Sequence, residues 1–215
     1  MQIMKVLDIE TWKRRQHFEF FRKLDMPHFS LCANVDITAL HRLVKQHRLP
    51  FFKSVLYLVM RCANDIPEFR YRIRKEQVIE HDRVHPGFTT LVDEDTYSNC
   101  IADYDEDPNR FFRNAEESIE RVKHNPFVAD PESRDDLIYV TCIPWVAFTG
   151  VMHPLHLSPI DSVPRIAWGK YFEDHERILM PLSVQAHHAL MDGAHAGKYY
   201  QKLQTYLDRP ETVFH

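Results

Sequence analysis

Of the 14 histidines in this 215-residue chain, two sit where imidazole chemistry is most readily built. His187 and His188 end a largely apolar run, Ile178 to Ala186, and precede Asp192-Gly193. Neighbouring side chains on a strand point to opposite faces, so one imidazole faces inward and the other outward. A histidine at the end of a buried strand is held rigidly and partly desolvated, which keeps it neutral near pH 7. Those are the requirements of a general base. From the bare pair, a hydrogen-bonded core histidine is the commoner reading, and it stays open here. Asp192, four residues after His188, is placed to cap a following helix. A metal site is a further reading of the imidazoles of His153, His156, His187, His188 and His195. Their spacing around a strand-to-helix turn forms no regular ligand set, and no cysteine cluster joins them.

The elements that must carry these residues are read from apolar periodicity. Phe29 to Ile37 is extended, and Asp36 or Thr38 is placed to cap the helix that follows. In that helix Leu40, Leu43 and Val44 have helical spacing, and Pro50 stops it. Phe51 to Asn64 is apolar almost all round, as a buried helix is. Strand-like runs follow at Phe69–Arg74, Gln77–His81, Phe88–Val92 and Ser98–Ala102, and Asp107-Pro108 starts a polar helix over Asn109–Lys123. Leu137–Phe148, Arg165–Tyr171 and Leu179–Ala186 read as strands, and Asp192–Leu207 as an amphipathic helix. The alternation predicts an α/β fold, a two-layer sandwich with a large mixed sheet.

Length suits a single domain over residues 1–215. Only 5 glycines are present, which leaves no Gly-rich linker or phosphate loop. The net charge of −4 gives no electrostatic reason to expect nucleic acid or an anionic membrane surface. Phe51–Met60, the most apolar run, contains Lys53 and falls short of a membrane span. Cys32, Cys62, Cys100 and Cys142 are scattered without a Cys-x-x-Cys pair, as in proteins of a reducing compartment. With no signal-like N-terminus, the expectation is a cytoplasmic protein with no metal.

Pro181 to His195, with its core His187-His188-Ala189-Leu190-Met191-Asp192-Gly193, resembles the signature of the chloramphenicol acetyltransferase family. A shorter His-His-x-x-x-Asp-Gly motif also occurs in dihydrolipoamide acyltransferase cores and in condensation domains. Trp12 to Phe21, Phe29-Ser30-Leu31, Val35-Asp36-Ile37-Thr38 and Ile143-Pro144-Trp145-Val146 favour the first family, and the resemblance runs in order over nearly the whole chain.

The resemblance implies a CoA-dependent acyltransferase fold and O-acetylation of chloramphenicol, an antibiotic-resistance activity. Acetyl-CoA is the implied co-substrate and His188 the implied general base. Thr141 matches the position of an oxyanion-binding serine, and it keeps the hydroxyl donor on a stiffer side chain. Asp192 pairs, by the same resemblance, with Arg14 and orients the turn. Lys170 and Tyr171 match a pair near the coenzyme nucleotide, and Lys53 adds positive charge for a phosphate. The acceptor pocket takes Phe20, Phe21 and Tyr97, buttressed by Phe29. Asp25, His153 and Ala167 depart from the family pattern there, and they raise the alternative of a more polar hydroxyl acceptor. The implied assembly is a homotrimer with sites at subunit interfaces, joining His188 of one subunit to Phe20, Phe21 and Tyr97 of its neighbour.

Overall fold

The computed structural model describes residues 4–123 and 134–214. A seven-stranded mixed sheet forms its centre, with strand order β2 (His28–Asp36), β10 (Arg177–His187), β8 (Arg165–Gly169), β7 (Leu137–Ile143), β5 (His85–Leu91), β6 (Tyr97–Ile101). The seventh strand, β9 (Phe172–Asp174), pairs with the start of β10. β5, β7 and β8 are mutually parallel, whereas β10 runs against β8 and β2. A separate three-stranded sheet joins β1 (Met4–Val6), β4 (Gln77–His81) and β3 (Tyr71–Arg74).

Strand alternation divides the large sheet into two chemically different faces. Leu182, Val184 and Ala186 of β10 lie on one face with Ile166 and Trp168 of β8, Val140 of β7 and Phe88 of β5. α3 (Phe51–Asn64) and α5 (Gly193–Asp208) cover this face and complete the main core. Buried at every position from Ser54 to Ala63 except Arg61, α3 is the helix expected to be apolar nearly all round. Tyr199 ties the two helices together: its hydroxyl donates to Val59 O at 3.1 Å, and its carbonyl accepts from Cys62 Sγ at 3.3 Å. α2 (Thr38–His47) adds Leu40 and Val44 to the same core. Asp36 supports its start, because Oδ1 accepts from the N–H and hydroxyl of Thr38 at 2.9 and 2.6 Å. α4 (Pro108–Lys123) begins at the expected proline.

The opposite face is polar. Register partners place His28, Ser30 and Cys32 of β2 beside His187, Gln185 and Ser183 of β10, followed by Arg165 and Ala167 of β8 and Thr141 of β7. An arm of residues 144–163 crosses this face and hydrogen-bonds to several of its polar groups. Ser30 Oγ donates to Val151 O at 3.0 Å, His153 N–H donates to Gln185 Oε1 at 2.8 Å, and His28 Nε2 lies 2.7 Å from Asp161 O.

Several boundaries differ from the sequence reading. Phe69 and Arg70 belong to a 3₁₀ turn, Pro67–Arg70, in which proline occupies the first position. β7 ends at Ile143 rather than continuing to Phe148, because Pro144 cannot donate to the ladder. The run expected to end at Tyr171 breaks after Gly169, where the arm crosses: a Cβ at that residue would stand 2.6 Å from Val146 O.

Candidate functional site

His188 is the first residue beyond β10, and its position is fixed from several directions. Its backbone N–H donates to Pro27 O at 2.7 Å, and its carbonyl accepts from Arg14 Nη2 at 3.3 Å. The ring lies flat on Phe21, with centroids 3.9 Å apart and planes inclined by 3°, while Phe29 meets it at 5.1 Å. Phe21 comes from α1 (Arg15–Phe21), a helix whose Phe18 is buried among Tyr71, Val78, Ala189 and Leu190. The turn after β10 is therefore packed against α1. Nδ1 of His188 is buried and has no hydrogen-bond partner among the described residues.

His187 faces the other way, as alternation requires. It is only 2% exposed, stands edge-on to His28 at 5.0 Å, and accepts the Ala189 N–H through Nδ1 at 3.2 Å. Burial, reinforced by repulsion from His28, brings its pKa down to about 3. This is the satisfied core histidine of the pair.

Arg14 and Asp192 form an ion pair at 2.6 Å, mostly withdrawn from solvent. Asp192 also accepts the Ala194 N–H at 2.9 Å as the N-cap of α5, so the helix-capping and pairing roles coexist. Burial opposes ionisation of this carboxyl, but the Arg14 hydrogen bond outweighs it, helped by His195, and the pKa falls below the ordinary carboxylate range. Glu68 lies 3.3 Å from His195 Nε2 and extends the network.

Thr141 lies elsewhere. It lines a cavity of about 550 Å³ at the carboxyl ends of β5 and β7, together with Thr89, Tyr97, Trp145 and His153. Such crevices beyond the carboxyl ends of parallel strands are the usual ligand sites of open α/β sheets. Phe52, Leu91 and Ile119 make much of the wall apolar. The residues expected for coenzyme gather around the same end. Lys170 is exposed, and its N–H donates to Val146 O at 2.9 Å. Tyr171 packs edgewise on His41 and Phe51. Lys53 is bound to Glu116 at 2.6 Å, so a phosphate would have to compete with that carboxylate.

The expected acceptor residues are thus divided between two places. Phe21 lies against His188 of its own chain, with exposed Phe20 beside it and exposed Asp25 in the following loop, whereas Tyr97 lines the Thr141 cavity. This corrects the reading that put Phe20 and Phe21 together with Tyr97 opposite His188. The register explains the division. Thr141 is level with Ala167, and Ala167 with Ser183, while His188 is five residues further along β10. Strand spacing of ~4.8 Å and a rise of ~3.3 Å per residue put Thr141 and His188 roughly 19 Å apart within one chain. Because β10 is antiparallel to β8, they lie toward opposite ends of the sheet.

Sequence reasoning missed Thr89, Thr90 and Leu91 as cavity residues, since nothing local marks the end of one strand as facing a cavity. Trp145 belonged to a quoted motif without an assigned role, and it is 65% exposed at the cavity. Among the described residues, no group of three or more His, Cys, Asp or Glu side chains converges as metal ligands, and no helix is long and apolar enough to cross a membrane.

A sequence profile described as chloramphenicol acetyltransferase matches residues 2–204. A chloramphenicol acetyltransferase of Proteus mirabilis is 31% identical over 206 residues, covering 94% of each chain. A solved chloramphenicol acetyltransferase superimposes with a TM-score of 0.86 at 27% identity, over 95% of this chain and 100% of that one. A probable dihydrolipoamide acetyltransferase from Listeria monocytogenes shares the fold, with a TM-score of 0.68 at 14% identity over 90% of this chain and 89% of its own.

Proposed function

The chain belongs to the chloramphenicol acetyltransferase family of acyltransferases, and from that premise we propose that it acetylates a small-molecule alcohol from acetyl-CoA with His188 as general base. His188 removes the proton from the acceptor hydroxyl as that oxygen attacks the thioester carbonyl. Thr141 donates its hydroxyl to the resulting tetrahedral oxyanion. Collapse breaks the carbon–sulfur bond, and His188 returns the proton to the departing thiolate. No acyl group rests on the protein.

The observation that carries this reading is the mounting of His188. Phe21 covers one face of the ring, Pro27 and Arg14 hold its backbone, and the second nitrogen is sealed in. Nε2 is then the nitrogen left to take the proton, from a ring whose orientation is already fixed. A base so positioned contributes about 10²–10⁴ in rate. Asp192 and Arg14 orient the turn and do not carry the proton. Exposed Lys170 and Tyr171 suit the nucleotide end of the coenzyme, with Lys53 a weaker candidate because Glu116 holds it.

The roughly 19 Å between His188 and Thr141 implies that one site combines His188 of one subunit with Thr141 of another. The distance supports an oligomer in which each chain contributes both halves to different sites, and the family resemblance supplies its form, a homotrimer of single-domain chains. Phe20, Phe21 and Asp25 travel with the base, and Tyr97 with the oxyanion donor. The chemistry is tested with acetyl-CoA and chloramphenicol, following thiol release. His188→Ala is expected to lose about 10²–10⁴ in turnover while His187→Ala keeps substantial activity. Turnover of His188→Ala within about tenfold of the unsubstituted enzyme defeats the assignment.

A further inference from the structure

We propose that His153 is a specificity-determining residue, selecting acceptor alcohols that carry an uncharged hydrogen-bonding group away from the reacting hydroxyl. The inference rests on the acyl-transfer reading for the cavity's purpose, and on three observations of its own.

First, the backbone of His153 is fixed. Its N–H donates to Gln185 Oε1, and Gln185 is 1% exposed in the middle of the polar face. Second, His153 is one of the residues lining the Thr141 cavity, most of whose wall is apolar. Third, Nε2 of the ring is buried and has no hydrogen-bond partner among the described residues. A buried polar nitrogen left without a partner is costly, and native structures retain few of them. In the proposed liganded state the ring turns about χ2 to offer a nitrogen to the cavity, and the orphaned Nε2 gives up no hydrogen bond in doing so.

The setting also specifies the group that fits. Burial, then the positive charge of Arg165, lowers the affinity of this imidazole for a proton, so the ring is neutral near pH 7. A neutral imidazole offers one donor and one acceptor, which suits a hydroxyl or amide. A fully apolar alcohol would leave the ring nitrogen unmatched, and sites built to hydrogen-bond a ligand discriminate against analogues lacking that group.

The test uses two primary alcohols of the same skeleton, 3-phenylpropan-1-ol and 3-(4-hydroxyphenyl)propan-1-ol, titrated calorimetrically into the full-length protein with CoA present. One hydrogen bond corresponds to about 2- to 12-fold in Kd. The unsubstituted protein is expected to prefer the hydroxylated probe by a factor in that range. His153→Leu should bring the two dissociation constants together, and His153→Asn, which restores a donor and an acceptor, should recover part of the preference. An equal preference in the unsubstituted protein and His153→Leu, or no preference in either, overturns the proposal. Acetyl transfer is measured separately on both probes. If transfer fails while the Kd ratio still depends on residue 153, the acyl-transfer reading falls and the assignment of His153 stands.

Discussion

Mixing two dead enzymes should make a live one. The structure sets the two halves of the proposed site roughly 19 Å apart within a chain, from strand spacing and rise, so His188→Ala and Thr141→Val damage different halves. When the two variants are unfolded together in equal amounts and refolded, a site becomes intact where His188 from a Thr141→Val chain meets Thr141 from a His188→Ala chain. Random assembly of a cyclic oligomer produces that combination at about one site in four. The parents supply little background, since removing the base costs about 10²–10⁴ and removing one oxyanion donor about 10²–10³. Recovered activity in the mixture should therefore reach about a quarter of the unsubstituted value. Phe21→Asp does not serve as the second variant, because Phe21 stacks on His188 of its own chain and would damage the same half. Mixed oligomers confirmed by mass spectrometry that remain at the parental background would show that the site does not combine chains, and so would a monomer at assay concentration.

Three further outcomes follow from the geometry. Thr141→Val alone should lower turnover by about 10²–10³ with little change in the apparent affinity for acetyl-CoA; unchanged turnover would place oxyanion stabilisation elsewhere. Arg14→Ala and Asp192→Asn should each lower stability together with activity. Each opens an ion pair shielded from solvent, and every 1 kcal/mol lost corresponds to about 2–4 °C of Tm for a chain of this size; lost activity at unchanged Tm would give Asp192 a part in the chemistry itself. Acid should destabilise the fold through His187. Its folded pKa is about 3, below the ordinary value of 6.5, so as pH falls from about 6.5 toward 3 the unfolded chain binds a proton that the native state does not. His187→Asn should flatten the decline of Tm with acidity over that window, and an unaltered slope would assign it to other groups.

The parts of this arrangement that could be read along the chain were those set by local chemistry. The strand into His187, the Asp192 cap of α5 and the buried helix Phe51–Asn64 each carry their pattern within a dozen or so residues. What could not be read depends on pairing between distant segments. Nothing local says that β10 runs antiparallel to β8, yet that one fact sends His188 and Thr141 toward opposite ends of the sheet. The place of Phe21 was missed for the same reason. Its helix lies in a stretch without clear apolar periodicity, and it is fixed by Phe18 docking beneath the turn at Ala189 and Leu190. Strand ends went astray where a single residue overrode propensity, at Pro67 and Pro144.

Gly169 has a bearing on how this enzyme could acquire new preferences. With Val146 O only 2.6 Å from where its Cβ would be, and the next N–H donating to that same oxygen, the end of β8 and the segment carrying Trp145 are clamped face to face. Trp145 borders the cavity proposed for the acceptor, and Lys170 and Tyr171 follow directly on the clamp. A mutation that shifts the Trp145 wall to admit a bulkier alcohol therefore drags the proposed coenzyme contacts with it. Inherited changes of acceptor should accumulate instead further along the arm, around His153, where a side chain can change without shifting the proposed coenzyme contacts.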